Sequence, residues 1–170
     1  MILCIDIGNT NIKYGLFEGD ELKVSFRSAT ELKRTSDEYG TILTNMLAIQ
    51  SISKNCIDGA IISSVVPALN YTIQHMCAGY LGVEPLMVGA GLKTGHNLRV
   101  DDAREVGADR IVNDVAAIHK YGAPLIVIDF GTVTTLTFSD VRKNPALTNA
   151  DFALHAPADA DVLEDRTGNF

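Results

Sequence analysis

Apolar residues run unbroken from Met1 to Ile5 and stop at Asp6, so residues 2–6 predict a buried strand. NIKYGLF, 11–17, predicts a second strand. Glu18-Gly19-Asp20 supplies a turn, and Leu22 to Phe26 then alternates apolar and polar residues as a third, antiparallel strand. Beyond it the apolar period lengthens from two residues to about 3.6. Thr35-Ser36-Asp37-Glu38 has the form of a capping box, and Tyr39, Ile42, Leu43, Met46 and Leu47 behind it mark one face of a helix.

IDGAIISSVV, 57–66, reads as a further strand. Pro67 suits the first turn of a helix whose Leu69, Ile73, Met76, Cys77 and Tyr80 share a face. Residues 85–88 form a short strand before the Gly-rich loop GAGLKTG. Residues 106–122 hold a third helix with Ile111, Val115 and Ile118 inward, ending at Gly122 and Pro124. LIVID, 125–129, and TTLTF, 134–138, are strands around a glycine turn. The order β-β-β-α-β-α-β-α predicts a mixed α/β sheet with helices on its faces. The closing β-β pair repeats the opening, as in proteins with two related lobes and a cleft between them. Residues 139–170 carry alanines and carboxylates with no clear period, which suits loose surface packing or disorder.

The bulk numbers narrow the options without deciding them. At 170 residues and 46% hydrophobic, the chain is long enough for one good core. A net charge of −7 speaks against a nucleic-acid surface or an anionic membrane, because phosphate contacts need a positive field. Cys4, Cys56 and Cys77 lack metal-ligand spacing and read as small hydrophobes in a reduced compartment. MILCIDIGN has no basic leader region, and no apolar run approaches about 18 residues, so the cytoplasm is the expected setting.

The candidate chemistry lies in two turns of one design. DIGNTN, Asp6 to Asn11, and DFGTVT, Asp129 to Thr134, each follow an apolar strand and read carboxylate, apolar, Gly, then Asn or Thr. Gly8 permits a tight turn whose amides can face an anion. Asn9, Thr10 and Asn11 add neutral polar groups, and Lys13 follows. A carboxylate such as Asp6 would hold Mg²⁺, and the ion would meet the phosphates. The plainer reading is a hairpin whose Asp and Asn satisfy their own backbone. The second copy, Asp129-Phe130-Gly131-Thr132, favours two loops holding a phosphate chain from both sides. Asp109 in GADR stands at the start of a helix, where it is either an N-cap or a general base. Arg110 suits either a salt bridge or a phosphate clamp. The chain has no GxxxxGK[ST] phosphate loop and no GxGxxG dinucleotide fingerprint, and its histidines lack metal spacing.

DIGNTNIKYGLF, SSVVP, EVGADRIVNDVAA and VIDFGTVTT stand in the order found in type III pantothenate kinases, and the chain resembles that family from residue 1 to about 138. The resemblance implies a ribonuclease-H-like first lobe of the actin-like ATPase fold over residues 1–122. Residues 123–138 would be only the opening hairpin of the second lobe, and 139–170 an atypical tail. It implies ATP-dependent phosphorylation of pantothenate to 4′-phosphopantothenate, the first step of coenzyme A biosynthesis. Mg²⁺ and a monovalent cation, K⁺ or NH₄⁺, would assist, in a homodimer. Asp6, Gly8, Asn9, Thr10 and Lys13 would then surround phosphate and metal. Asp109 would be the base, and Gly107 and Arg110 would lie in the substrate-binding motif. Asp129 would help hold the monovalent cation, with Gly131 and Thr132 in the second phosphate loop.

The chain departs from the family pattern in two places. Val100 and Ala103 stand where an aromatic residue and a proline are common. After residue 138 the Gly-Gly-x-Ile-x-Pro-Gly-type loop and the elements that close the second lobe are replaced by a dissimilar tail. A nucleotide-binding accessory protein or an inactive truncated kinase therefore stands beside the kinase reading.

Overall fold

The computed structural model describes residues 1–89, 92, 107–122, 125–130 and 134–138. All of these fall in one compact unit, Met1–Ser139. Three strands open the chain, β1 (Ile2–Ile7), β2 (Asn11–Glu18) and β3 (Glu21–Ala29), each antiparallel to the next. β4 (Gly59–Ser64) lies parallel to β1 on its other side, and β5 (Leu86–Met87) extends the sheet parallel to β4. The order across the sheet is β3-β2-β1-β4-β5. This is the mixed sheet that the element order implies.

Alternation along the strands divides the sheet into two faces. Leu3, Ile5 and Ile7 of β1, Ile12, Tyr14 and Leu16 of β2, and Ala60 and Ile62 of β4 point to one side and are buried. That side is closed by helix α1 (Ser36–Ile49), through Tyr39, Leu43 and Leu47, and by helix α2 (Pro67–Met76), through Leu69, Ile73 and Met76. The capping box forms in full. Glu38 N–H donates to the Thr35 hydroxyl at 3.3 Å, and Thr35 N–H donates to the Glu38 carboxylate at 2.8 Å. Pro67 takes the first position of α2, as its sequence position suggests.

Three details depart from the sequence pattern. β4 is shorter than 57–66, because a 3-10 turn at Lys54–Cys56 delivers the chain and Val66 already caps α2. β3 outruns Leu22–Phe26, since its pairing with β2 continues to Asn11 opposite Ala29 after a register shift at Leu16/Phe17. The end of α2 widens into a π-helical turn at Cys77–Leu81, so Tyr80 is half-buried rather than in the core. Its ring lies over Gly40 of α1, where an added Cβ would sit 2.5 Å from ring carbons, and its hydroxyl donates to Asp37 at 3.1 Å. Cys77 is buried, and burial pushes its thiol up to about 12, so it stays protonated. Cys56 is exposed.

Helix α3 (Ala108–Tyr121) covers part of the opposite face. Ala108 and Ile111 pack with Val88, Ile61 and Leu92 in a second, smaller core. Ile118 is only half-buried, and Gly122, at φ +78°, ends the helix by donating to the Ile118 carbonyl. β6 (Ile126–Phe130) and β7 (Thr134–Phe138) form a separate antiparallel pair on which Ile126 and Ile128 are exposed. Among the described residues, no helix is long and apolar enough to cross a membrane.

Candidate active site

Because Leu3, Ile5 and Ile7 take the closed face, Asp6 emerges on the other one, at the carboxyl end of β1. The β1–β2 register sets Ile7 opposite Ile12 and Asp6 opposite Lys13, leaving Gly8-Asn9-Thr10 as the tip of the hairpin. Gly8 N–H donates to the Asn11 carbonyl at 3.0 Å. The end of β3 ties this tip down. The Thr30 hydroxyl donates to the Gly8 carbonyl at 2.6 Å, and Thr30 N–H donates to the Thr10 carbonyl at 3.0 Å. Asn9 and Thr10 are left exposed at the tip.

Lys13 Nζ lies 3.5 Å from the Asp6 carboxylate, with the Asp6 side chain 37% exposed. An exposed pair of this kind contributes at most about 1 kcal/mol, so it is a weak reason for fold stability. The Asp6 carboxylate therefore turns toward Lys13 rather than back onto the turn. On its other flank, Asp6 is in register with Ser63 of β4. Ser63 is 6% exposed, and its hydroxyl has no hydrogen-bond partner among the described residues.

Helix α3 begins beside this same corner. Gly107 is its N-cap, and a Cβ there would lie 3.5 Å from Val65 Cγ1, while Val65 N–H extends the sheet by donating to the Ile7 carbonyl. Ile61, against which α3 packs, has the same parity on β4 as Ser63, and both are opposite in parity to the core residue Ile62. Asp6, Ser63 and the start of α3 thus share one face and one end of the sheet. That end is formed by the carboxyl ends of the parallel strands, where open α/β sheets bind ligands.

Asp109 is the second residue of α3 rather than its N-cap. Its Oδ1 accepts the Arg110 N–H at 2.8 Å and folds back over Gly107, where a Cβ would collide with it. A side chain at Gly107 would displace the Asp109 carboxylate from this position, and a negative charge at that helix end is favoured by the helix dipole.

The sequence candidates fall into three groups. Asp6, Gly8, Asn9, Thr10 and Lys13 share one hairpin, and Gly107, Asp109 and Arg110 share the first turn of α3 at the adjoining strand end. Asp129 lies in β6 opposite Thr135, in the two-stranded sheet, and is described by its backbone alone. Gly131 and Thr132, together with Val100 and Ala103, lie outside the described residues.

Sequence reasoning passed over Thr30 and Ser63. The register shift in β3 hides the reach of Thr30. Ser63 could have been found only by aligning SSVV with ILCIDI. Among the described residues, no three His, Cys, Asp or Glu side chains form a metal cluster. A single carboxylate beside an unpartnered hydroxyl nevertheless suits Mg²⁺, which keeps several waters and binds through one or two carboxylates and substrate phosphates.

A family model for type III pantothenate kinase matches residues 2–144. The chain belongs to the type III pantothenate kinase family. A type III pantothenate kinase of Brevibacillus brevis is 52% identical to it over 142 residues, covering 84% of this chain and 56% of that protein. The chain thus spans just over half the length of this family relative. Among solved structures, a putative 2-dehydro-3-deoxygalactonokinase from Sinorhizobium meliloti aligns with a TM-score of 0.53 at 16% identity, over 82% of this chain and 49% of that one. That likeness is one of fold. The architecture is the α/β first lobe of the actin-like ATPase superfamily.

Proposed function

We propose that this chain carries the nucleotide-binding half of a type III pantothenate kinase site, binding ATP with Mg²⁺ and turning over slowly or not at all by itself. The observation that carries this reading is the position of Asp6. It stands half-open at the carboxyl end of β1, between Lys13 and Ser63 in register, with the Asp109-bearing helix start at the same corner. The family reaction is transfer of the ATP γ-phosphoryl group to the pantothenate 4′-hydroxyl. Asp6 would hold Mg²⁺, which when bound offsets charge on the phosphates.

The backbone of Gly8, Asn9 and Thr10 would face the phosphates, with Lys13 adding positive charge. Asp109 commits one oxygen to the Arg110 amide and keeps a second to orient or take the hydroxyl proton. Gly107 and Arg110 would border pantothenate. Asp129 would hold K⁺ or NH₄⁺, with Gly131 and Thr132 on the far side of the phosphates. The same reading extends to a homodimer in the cytoplasm. The half-site form is favoured because the chain covers 56% of its relative.

The test combines calorimetric titration of ATP, with and without Mg²⁺, and an assay of pantothenate-dependent ADP formation in K⁺ or NH₄⁺. Mg²⁺-dependent ATP binding that disappears in Asp6→Asn, with ADP formation near background, is the expected result. Absence of ATP binding sinks the nucleotide site. Rapid turnover abolished by Asp109→Asn would replace the half-site with a complete kinase.

A further inference from the structure

Ser63 is the buried polar residue of the described core, and its hydroxyl is left without a partner among the described residues. Its neighbour Ser64 shows the ordinary solution, because the Ser64 hydroxyl accepts the Val66 N–H at 3.1 Å. A buried hydroxyl with nothing to bond costs stability comparable to a lost hydrogen bond, and alanine would fill nearly the same volume without that cost. Native structures keep such a group where something else satisfies it.

The register says where that something lies. Lys13, Asp6 and Ser63 form one row across β2, β1 and β4 on a single face, with neighbouring strands about 4.8 Å apart. Lys13 engages Asp6 from one flank. Ser63 stands on the other, at the strand end where α3 starts. A species that bridges the two at that spacing must donate to the carboxylate, which only accepts, and bond the hydroxyl as well, as the water shell of a hard divalent cation does.

We propose that Ser63 is a positioning residue of the Asp6 site, whose hydroxyl, together with the Asp6 carboxylate, orders the hydrated divalent cation that accompanies the nucleotide. This rests on the nucleotide-site reading of Asp6 and adds a second strand to it. SSVVP then supplies a polar group to the site as well as a strand end and a helix start.

The test compares Ser63→Ala and Ser63→Thr with the unsubstituted chain by urea unfolding and by calorimetric titration of ATP with and without Mg²⁺. In S63A, Mg·ATP affinity is expected to fall about tenfold. Affinity for Mg²⁺-free ATP and the urea midpoint should be unchanged, or the midpoint raised, and S63T should restore Mg·ATP binding. Equal Mg·ATP affinity in S63A overturns the proposal. So does equal loss with and without Mg²⁺, or a lowered urea midpoint, because either marks a purely structural hydroxyl. If D6N abolishes binding while S63A leaves it intact, only the role of Ser63 falls. If the unsubstituted chain shows no Mg²⁺-dependent binding, the Asp6 site falls with it.

Discussion

On one face of the five-stranded sheet, Leu3, Ile5, Ile7, Ile12, Leu16 and Ile62 are sealed beneath α1 and α2. On the other, the same strands present Cys4, Asp6, Lys13 and Ser63, and α3 covers the β4–β5 side. A single step along β1, from Ile5 to Asp6, crosses from core to candidate site. The period of two lets one strand anchor the fold and aim a carboxylate without burying it. It also separates their energetics, since core substitutions are felt as cavities, whereas exposed charges change stability little.

Substitutions on the closed face should therefore be the costly ones. Ile62→Ala is expected to lower unfolding stability by about 2–5 kcal/mol in urea titration, while the folded fraction keeps its ATP affinity. A loss of affinity at preserved stability would break the division between the faces. Gly40→Ala places a methyl against the Tyr80 ring. The gain in helix propensity is about 1 kcal/mol, and overpacking of this kind costs about 1–3 kcal/mol. A net loss of stability is expected, recovered in part when Tyr80 is also shortened to Ala.

A smaller effect is expected at the capping box. The Thr35 amide and hydroxyl hold the Glu38 carboxyl below its usual range. A depressed carboxylate contributes stability above its unfolded value, and that contribution is lost as pH falls through its folded value. The urea midpoint should thus decline as pH drops below about 4.5, and Glu38→Gln should flatten that part of the profile. The smallest stability change is expected on the open face. Lys13→Met should shift stability by less than about 1 kcal/mol, yet weaken ATP binding, and titration of both quantities checks the pair.

The closed face was largely legible in the sequence, because continuous apolar runs, the Thr35–Glu38 box and Pro67 each carry a local physical signal. Asp6 and Lys13 were legible too, since they flank the hairpin symmetrically. What escaped depends on register. Thr30 reaches Gly8 only because β3 runs on after the shift at Leu16/Phe17. Ser63 differs from Ser64 only by which strand row it joins. Of the two sequence readings of Asp109, N-cap or general base, the N-cap place is taken by the glycine two residues earlier. Such distinctions of one or two residues arise from pairing between distant segments, which local periodicity does not encode.

The most direct test of the division between the two faces is ¹⁵N–¹H chemical-shift mapping of the chain during titration with Mg·ATP. Perturbations are expected at Gly8, Asn9, Thr10, Lys13, Ser63 and the first turn of α3, with Leu43, Leu47 and Ile73 unmoved. Shifts centred on α1 and α2, with the Asp6 hairpin silent, would contradict it.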